Sequence, residues 1–222
     1  MDTCYFGRNY GVMVFRDHYR NRNLSWQFVG HETLNDYQTG IKDLESKGWK
    51  VRAIVCDGKR GLFYCFGSIP IQMCQYHQVA IVKRYVTQNP KLEAGKELKN
   101  IVAQLSTSNK NDFKKLLEDW NLKWSEFLRE KTFNPDTQKC HFTHRRIRSA
   151  YRSLKTNLPF LFTFQDYPDL NIPNTINSLE GVFSNLKTKT RVHAGLKYHR
   201  KVKLINEILS NSQPFLSIIP IF

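Results

Sequence analysis

The chain has 222 residues, 41% of them hydrophobic and 13% aromatic, enough to bury a core as one domain or one domain with a large insertion. Thirty-four Lys and Arg face nineteen Asp and Glu, a formal net charge of +15; a globular chain this basic meets a polyanion, nucleic-acid phosphate ahead of acidic membrane. The composition excludes a disordered basic tail. No apolar run reaches the ~18 residues of a membrane span, and no signal peptide is expected. Five cysteines, Cys4, Cys56, Cys65, Cys74 and Cys140, are odd in number and widely spaced, which fits a reducing cytoplasm better than a secreted disulfide scaffold.

In chain order, Cys4-Tyr-Phe and Gly11 to Phe15 flank the turn-prone Gly7-Arg-Asn-Tyr-Gly11 and predict a hairpin, with Leu24 to Val29 as a third strand. Leu34, Tyr37, Ile41 and Leu44 fall on one face of a helix over 33–47 that Gly48 ends, and Val51 to Cys56 reads as a buried strand. Strand, strand, strand, helix, strand describes an α/β sheet with a parallel crossover, whose ligands lie at the carboxyl ends of strands. After Pro70 the period turns helical: 73–86, 92–105 and 113–128, punctuated by Pro90, Ser106 to Asn111 and Asn134-Pro135. The expected organisation is therefore an α/β core over 1–90, an all-helical insertion over 91–165, the rest of the core over 166–210 with helices at about 175–189 and 198–209, and a short apolar tail over 211–222.

Three carboxylates stand in three contexts: Asp2 on the first strand, Asp57 closing Ala-Ile-Val-Cys-Asp-Gly, and Glu180 on a late basic helix. Two-metal phosphodiester chemistry needs such a set of hard oxygen ligands around ions ~3.5–4 Å apart. Each also has a plainer reading. Asp2 can be a terminal residue, Asp57-Gly58 the turn after a strand, and Glu180 the partner of Asn177 in a capping box Asn-Ser-Leu-Glu.

Cys74-x-x-His77 has zinc-ligand spacing, and Cys140 with His144 supplies a second pair, so a tetrahedral Cys2His2 site is one expectation; local packing at a helix start is the other. Cys4, Cys56 and Cys65 alternate with apolar residues as core thiols do. Two acid-free basic runs offer phosphate tracks. The first holds Lys139, Arg145, Arg146, Arg148, Arg152 and Lys155; the second holds Lys187, Lys189, Arg191, Lys197, Arg200, Lys201 and Lys203. Trp120 and Trp124 fit insertion-core packing better than stacking on a flipped base.

Four segments, in order, resemble the Mutator-type bacterial insertion-sequence transposases: Asp2-Thr-Cys-Tyr-Phe, Ile54-Val-Cys-Asp57-Gly-Lys-Arg-Gly-Leu62, Pro70-Ile-Gln-Met-Cys74-Gln-Tyr-His77-Gln, and Asn174-Thr-Ile-Asn177-Ser-Leu-Glu180-Gly-Val-Phe-Ser-Asn185. The resemblance covers residues 2 to about 209. It implies an RNase H-like mixed sheet flanked by helices, with a helical insertion before the last catalytic helix. Asp2, Asp57 and Glu180 would then form an Asp-Asp-Glu triad holding two Mg2+ or Mn2+, for DNA nicking at element ends and strand transfer into target DNA. It further implies insertion-sequence ends and target DNA as partners, a homodimer or larger synaptic assembly, and a cytoplasmic, nucleoid-associated location with no membrane partner. Such families carry an upstream DNA-binding region and apolar residues before the first Asp. Neither precedes Asp2, so a truncated or split reading frame is expected. Two alternatives fit the same residues: an RNase H-like nuclease that only hydrolyses, and a non-catalytic DNA-binding remnant or domesticated module.

Overall fold

A computed structural model of the chain describes residues 1–211; the apolar tail expected over 211–222 lies, past its first residue, outside the described residues. The protein is mixed α/β with small sheets and divides into two compact units, Met1–Ile69 with the segment from Ile176 onward, and Pro70–Thr175. The first unit contains β1 (Asp2–Gly7), β2 (Tyr10–Asp17), β3 (Arg22–Val29), α1 (Leu34–Ser46) and β4 (Ile54–Cys56). The second holds β5 (Ile71–Met73), α2 (Gln75–Val86), α3 (Glu93–Ala103), α4 (Lys110–Lys123), α5 (Ser125–Arg129), β6 (Lys131–Asn134), β7 (Lys139–Phe142), α6 (Arg145–Leu161) and α7 (Thr163–Asp166). The chain then returns to the first unit with α8 (Asn177–Val192) and α9 (Tyr198–Asn211).

In the first unit β1, β2 and β3 form an antiparallel meander. The register sets Asp2 opposite Val14 and Trp26, and Thr3 opposite Met13 and Gln27, so alternate residues serve opposite faces. Val12 to Phe15 of the middle strand are all buried, because both faces are covered. On the Thr3 face lies α1: Gln27 Nε2 donates to the Asp36 carbonyl (2.9 Å), and Phe15 packs on Gly40. On the Asp2 face lie α8 and α9: Trp26 Nε1 donates to Asn206 Oδ1 (2.8 Å) and Asn23 Nδ2 to the Leu209 carbonyl (2.9 Å). A Cβ on Gly40 would lie 2.0 Å from Phe15 Cζ, so this closeness of helix and sheet requires glycine.

Helix α1 starts where local capping rules place it. Thr33 and Asp36 make a reciprocal capping box, and Gly48 leaves the helix at φ 84°. Its buried positions include Tyr37, Ile41 and Leu44, three of the four on the expected face. The strand expected over 51–56 is confined to Ile54–Cys56, and the Met1 nitrogen donates to the Val55 carbonyl (2.8 Å), which sets β4 beside the start of β1.

The second unit begins at Pro70 rather than residue 91, because α2 packs against α6 and α3. Nor is it all helical: β6 and β7 pair as an antiparallel hairpin, Lys131 opposite Phe142 and Asn134 opposite Lys139. The turn between them is the reason. Asn134 Oδ1 accepts from the Asp136 and Thr137 amides (2.9 and 3.2 Å) and Gln138 takes φ 50°, a side-chain-closed turn that outweighs helical continuation. The expected helix over 113–128 also breaks at Trp124. At the end of α6, Gln72 and Gln75 each donate a side-chain amide to the Leu161 carbonyl (both 2.9 Å), satisfying a buried helix-end acceptor. Among the described residues no helix is long and apolar enough to cross a membrane.

Candidate metal centre

Each candidate carboxylate is delivered by a different element of the first unit. Asp2 starts β1 and is only 7% exposed. Asp57 follows β4 directly, and β4 lies beside β1 through the Met1–Val55 hydrogen bond. Glu180 sits in the first turn of α8, which packs on β1. A carboxylate oxygen of Asp2 lies within 4.8 Å of one from Asp57, and likewise within 4.8 Å of one from Glu180. Asp2 is thus the shared corner of two close acid pairs.

Two of the three plainer readings do not survive folding. Asp2 is buried, not a frayed terminal residue. The capping box at Glu180 does not form: Ile176 occupies the N-cap without a side-chain cap. The turn at Asp57 does form, with Asp57 Oδ1 accepting from the Lys59 amide (3.1 Å) and Gly58 at φ 88°, leaving the other oxygen of Asp57 outside that turn bond.

Crowding these acids has an electrostatic cost. Burial first, then the Asp57 charge and more weakly Glu180, push the Asp2 carboxyl from its ordinary 3.8 up to about 7, against the opposing hydrogen bond from the Thr3 amide (2.7 Å) and the N-terminal ammonium. That hydrogen bond falls on Oδ1, and the other oxygen of Asp2 receives none from the described residues. Carboxylate oxygens, mutually repelling and drawn together around a buried acid, lie close enough to one another to hold a metal ion.

A fourth acid, Glu32, joins the cluster, with an oxygen within 4.8 Å of those from Asp2 and Asp57. Sequence reasoning missed it. Glu32 lies in the short span between β3 and the capping box, where no motif marks it, and only the fold brings that span back to Thr3.

The cysteine and histidine set does not assemble. Cys74 is fully buried at the N-cap of α2, as the packing alternative expects, and His77 stands in the first turn with its ring edge-on to Tyr76 (5.9 Å). Cys140 is exposed on β7, while His144 bonds Glu130 Oε2 (2.8 Å) and stacks on Phe127 (3.6 Å). Among the described residues no close group of three metal-ligating side chains contains Cys74, Cys140 or His144, so the Cys2His2 zinc expectation fails. Cys4 and Cys56 are core thiols, as expected. Burial pushes them up to about 11 and about 12, and Cys65, half-buried, bonds the Gly61 carbonyl (3.2 Å).

The basic runs are not uniform. Arg146 spends its guanidinium on the Tyr85 and Arg84 carbonyls (2.8 and 2.6 Å) at the end of α2, and Arg148 donates to the Leu128 carbonyl while lying 3.5 Å over the Phe142 ring. Those two are structural cations. Arg145, Arg152 and Lys155 remain exposed on α6. In the first unit Lys187, Lys189, Arg191, Lys197 and Arg200 are exposed, and Lys201 is half-buried. Lys187 lies two helical turns past Glu180 on α8, and its charge opposes the upward push of burial on the Cys4 thiol. Trp120 is buried against Tyr151, its Nε1 donating to the Ala94 carbonyl (3.1 Å), as core packing predicts.

Compared with known proteins, the chain matches no protein-family model, no curated protein and no solved structure.

Proposed function

We propose that this chain is the catalytic domain of a DNA transposase of the Asp-Asp-Glu kind, with an RNase H-like core, cutting DNA strands and joining their 3′ ends to target DNA. The observation that carries the reading is Asp2, buried and shared between Asp57 on one side and Glu180 on the other. Acids from distant parts of the sequence meet at one strand end, around a carboxyl whose neighbours disfavour its charge.

Asp2, Asp57 and Glu180 would hold two Mg2+ or Mn2+, which when bound activate the attacking hydroxyl and stabilise the leaving 3′-oxygen. Every other contribution belongs to the chain. Asp2 is fixed by the Thr3 amide and by its place on β1, so its oxygens are aimed before any ligand arrives. Asp57 is fixed by the turn to Lys59. No protein nucleophile is needed, and catalysis rests on positioning and charge. A phosphate backbone leaving the site along the Glu180 face of α8 would meet Lys187 and, one turn on, Arg191, and the acid cluster and the basic run divide the work between reaction and binding.

The test is nicking of supercoiled plasmid and joining of 3′-hydroxyl oligonucleotide ends, with Mg2+ or Mn2+, for the wild-type chain and the Asp57→Ala and Glu180→Ala variants. Metal-dependent nicking and joining, lost in both variants, is the expected result. Nicking without joining would replace the reading with a hydrolytic nuclease. Folded protein that binds DNA and cuts nothing, indistinguishable from its variants, would replace it with a DNA-binding remnant.

A further inference from the structure

Glu32 is built into the acid cluster more firmly than a surface carboxylate. Its Oε1 accepts from Thr3 Oγ1 (2.9 Å) and from the Tyr37 hydroxyl, and its backbone amide donates to the Tyr5 hydroxyl (2.8 Å). Tyr37 is completely buried, which raises its hydroxyl far above the ordinary range and keeps it a donor. Two side chains, one from β1 and one from α1, therefore fix the carboxylate, and a third from β1 anchors its backbone. Its other oxygen, Oε2, faces the Lys59 ammonium at 3.7 Å. That separation is long for an ion pair, and both side chains are largely buried, with Glu32 15% and Lys59 28% exposed.

A fixed carboxylate with a loosely held counter-ion, one of its oxygens within 4.8 Å of one from the nine-tenths-buried Asp2, is an arrangement that a divalent cation completes. Lys59 sits two residues after Asp57, on the loop that turns under the site, so its flexible stem can leave Glu32 without unfolding anything. Lys59 has a second use once released. An ammonium at the rim of a cation-filled carboxylate cluster is placed to meet the phosphate that the cations draw in.

We propose that Glu32 is a fourth oxygen ligand of the cation site and that Lys59 is its built-in counter-ion, displaced from Glu32 when the cation binds and then turned to the DNA phosphate. The proposal rests on the metal-dependent reading of the same site. It assigns the two residues opposite effects on the cation and the same effect on DNA turnover.

The test is calorimetric titration of the chain with Mn2+ in the absence of DNA, for wild type, Glu32→Gln, Lys59→Met and Asp57→Ala, with a melting curve for each. Glu32→Gln keeps the oxygen that Thr3 and Tyr37 hold and should weaken Mn2+ binding by about 10–100-fold with little change in melting. Lys59→Met keeps the stem and the backbone bond to Asp57, and should tighten Mn2+ binding several-fold while raising the KM for DNA. Mn2+ binding by Glu32→Gln equal to wild type overturns the ligand role. Weaker or unchanged binding by Lys59→Met overturns the counter-ion role, and does so even if Glu32→Gln does not fold. A wild-type chain that binds no Mn2+, or an Asp57→Ala chain that binds it as well as wild type, sinks the metal-dependent reading itself, an outcome distinct from the other two.

Discussion

Asp2→Asn should make this protein more stable and inactive at once. Holding a carboxylate at about 7 when its ordinary value is 3.8 corresponds to about 4 kcal/mol between the charged and neutral forms. The folded state prefers the protonated acid, so the penalty is absent below pH ~4, grows as pH rises toward 7, and is complete above it. Asp2 is almost wholly buried, so little of that figure is lost to solvent screening. Asparagine keeps an oxygen for the Thr3 amide and carries no charge. At pH 8 in chelator the variant should therefore melt higher than wild type, by roughly 10 °C if each kcal/mol moves a chain of this size by about 2–4 °C. At pH 4 the two should coincide. Added Mg2+ should raise the wild-type melting point, since ligand at ~100 times its Kd contributes about 2.7 kcal/mol, and should leave Asp2→Asn almost unmoved. Melting curves at pH 4 and pH 8, with chelator and with Mg2+, measure all of this. A variant no more stable than wild type at pH 8 in chelator would refute the claim that burial and the neighbouring acids together penalise a charged Asp2.

Gly40→Ala should destabilise the first unit by about 1–3 kcal/mol, because its Cβ would meet the Phe15 ring at 2.0 Å; Phe15→Leu in the same chain should restore part of the stability in denaturant melts. Replacing Lys187, Lys189 and Arg191 together by alanine should lower DNA affinity and reduce the slope of log K against log salt by about 0.9 for each phosphate no longer neutralised, with the melting point unchanged. The α6 cations should divide in the same assays. Arg146→Ala should cost about 0.5–1.5 kcal/mol in stability, by removing its hydrogen bonds to the Tyr85 and Arg84 carbonyls, and Arg145→Ala should leave melting untouched.

Much of the first unit was legible in the sequence, because its elements are set by local rules. The alternating strands on either side of Gly7 to Gly11, the capping box from Thr33 to Asp36 and the stop at Gly48 depend only on neighbours a few residues away. The hairpin of β6 and β7 was equally local, and its signal was present: Asn134-Pro135-Asp136 between two short alternating segments. It was overridden by the helical period on both sides, which is a property of a longer window.

The candidate site divides along the same line. The residue types on offer, the placing of three acids at strand and helix ends, and a charge basic enough to want a polyanion are all properties of the chain read residue by residue. Which of those residues meet is a property of the folded molecule. Folding brought Asp2 between Asp57 and Glu180, added Glu32, kept Cys74 and Cys140 out of any close ligand group among the described residues, and engaged Arg146 and Arg148 with backbone carbonyls. The physical reason is range. Caps, turns and strand periods are fixed by contacts within a few residues, whereas the sharing of one buried acid by Asp57 and Glu180 is fixed by sheet neighbours and helix packing, which no short window of sequence contains.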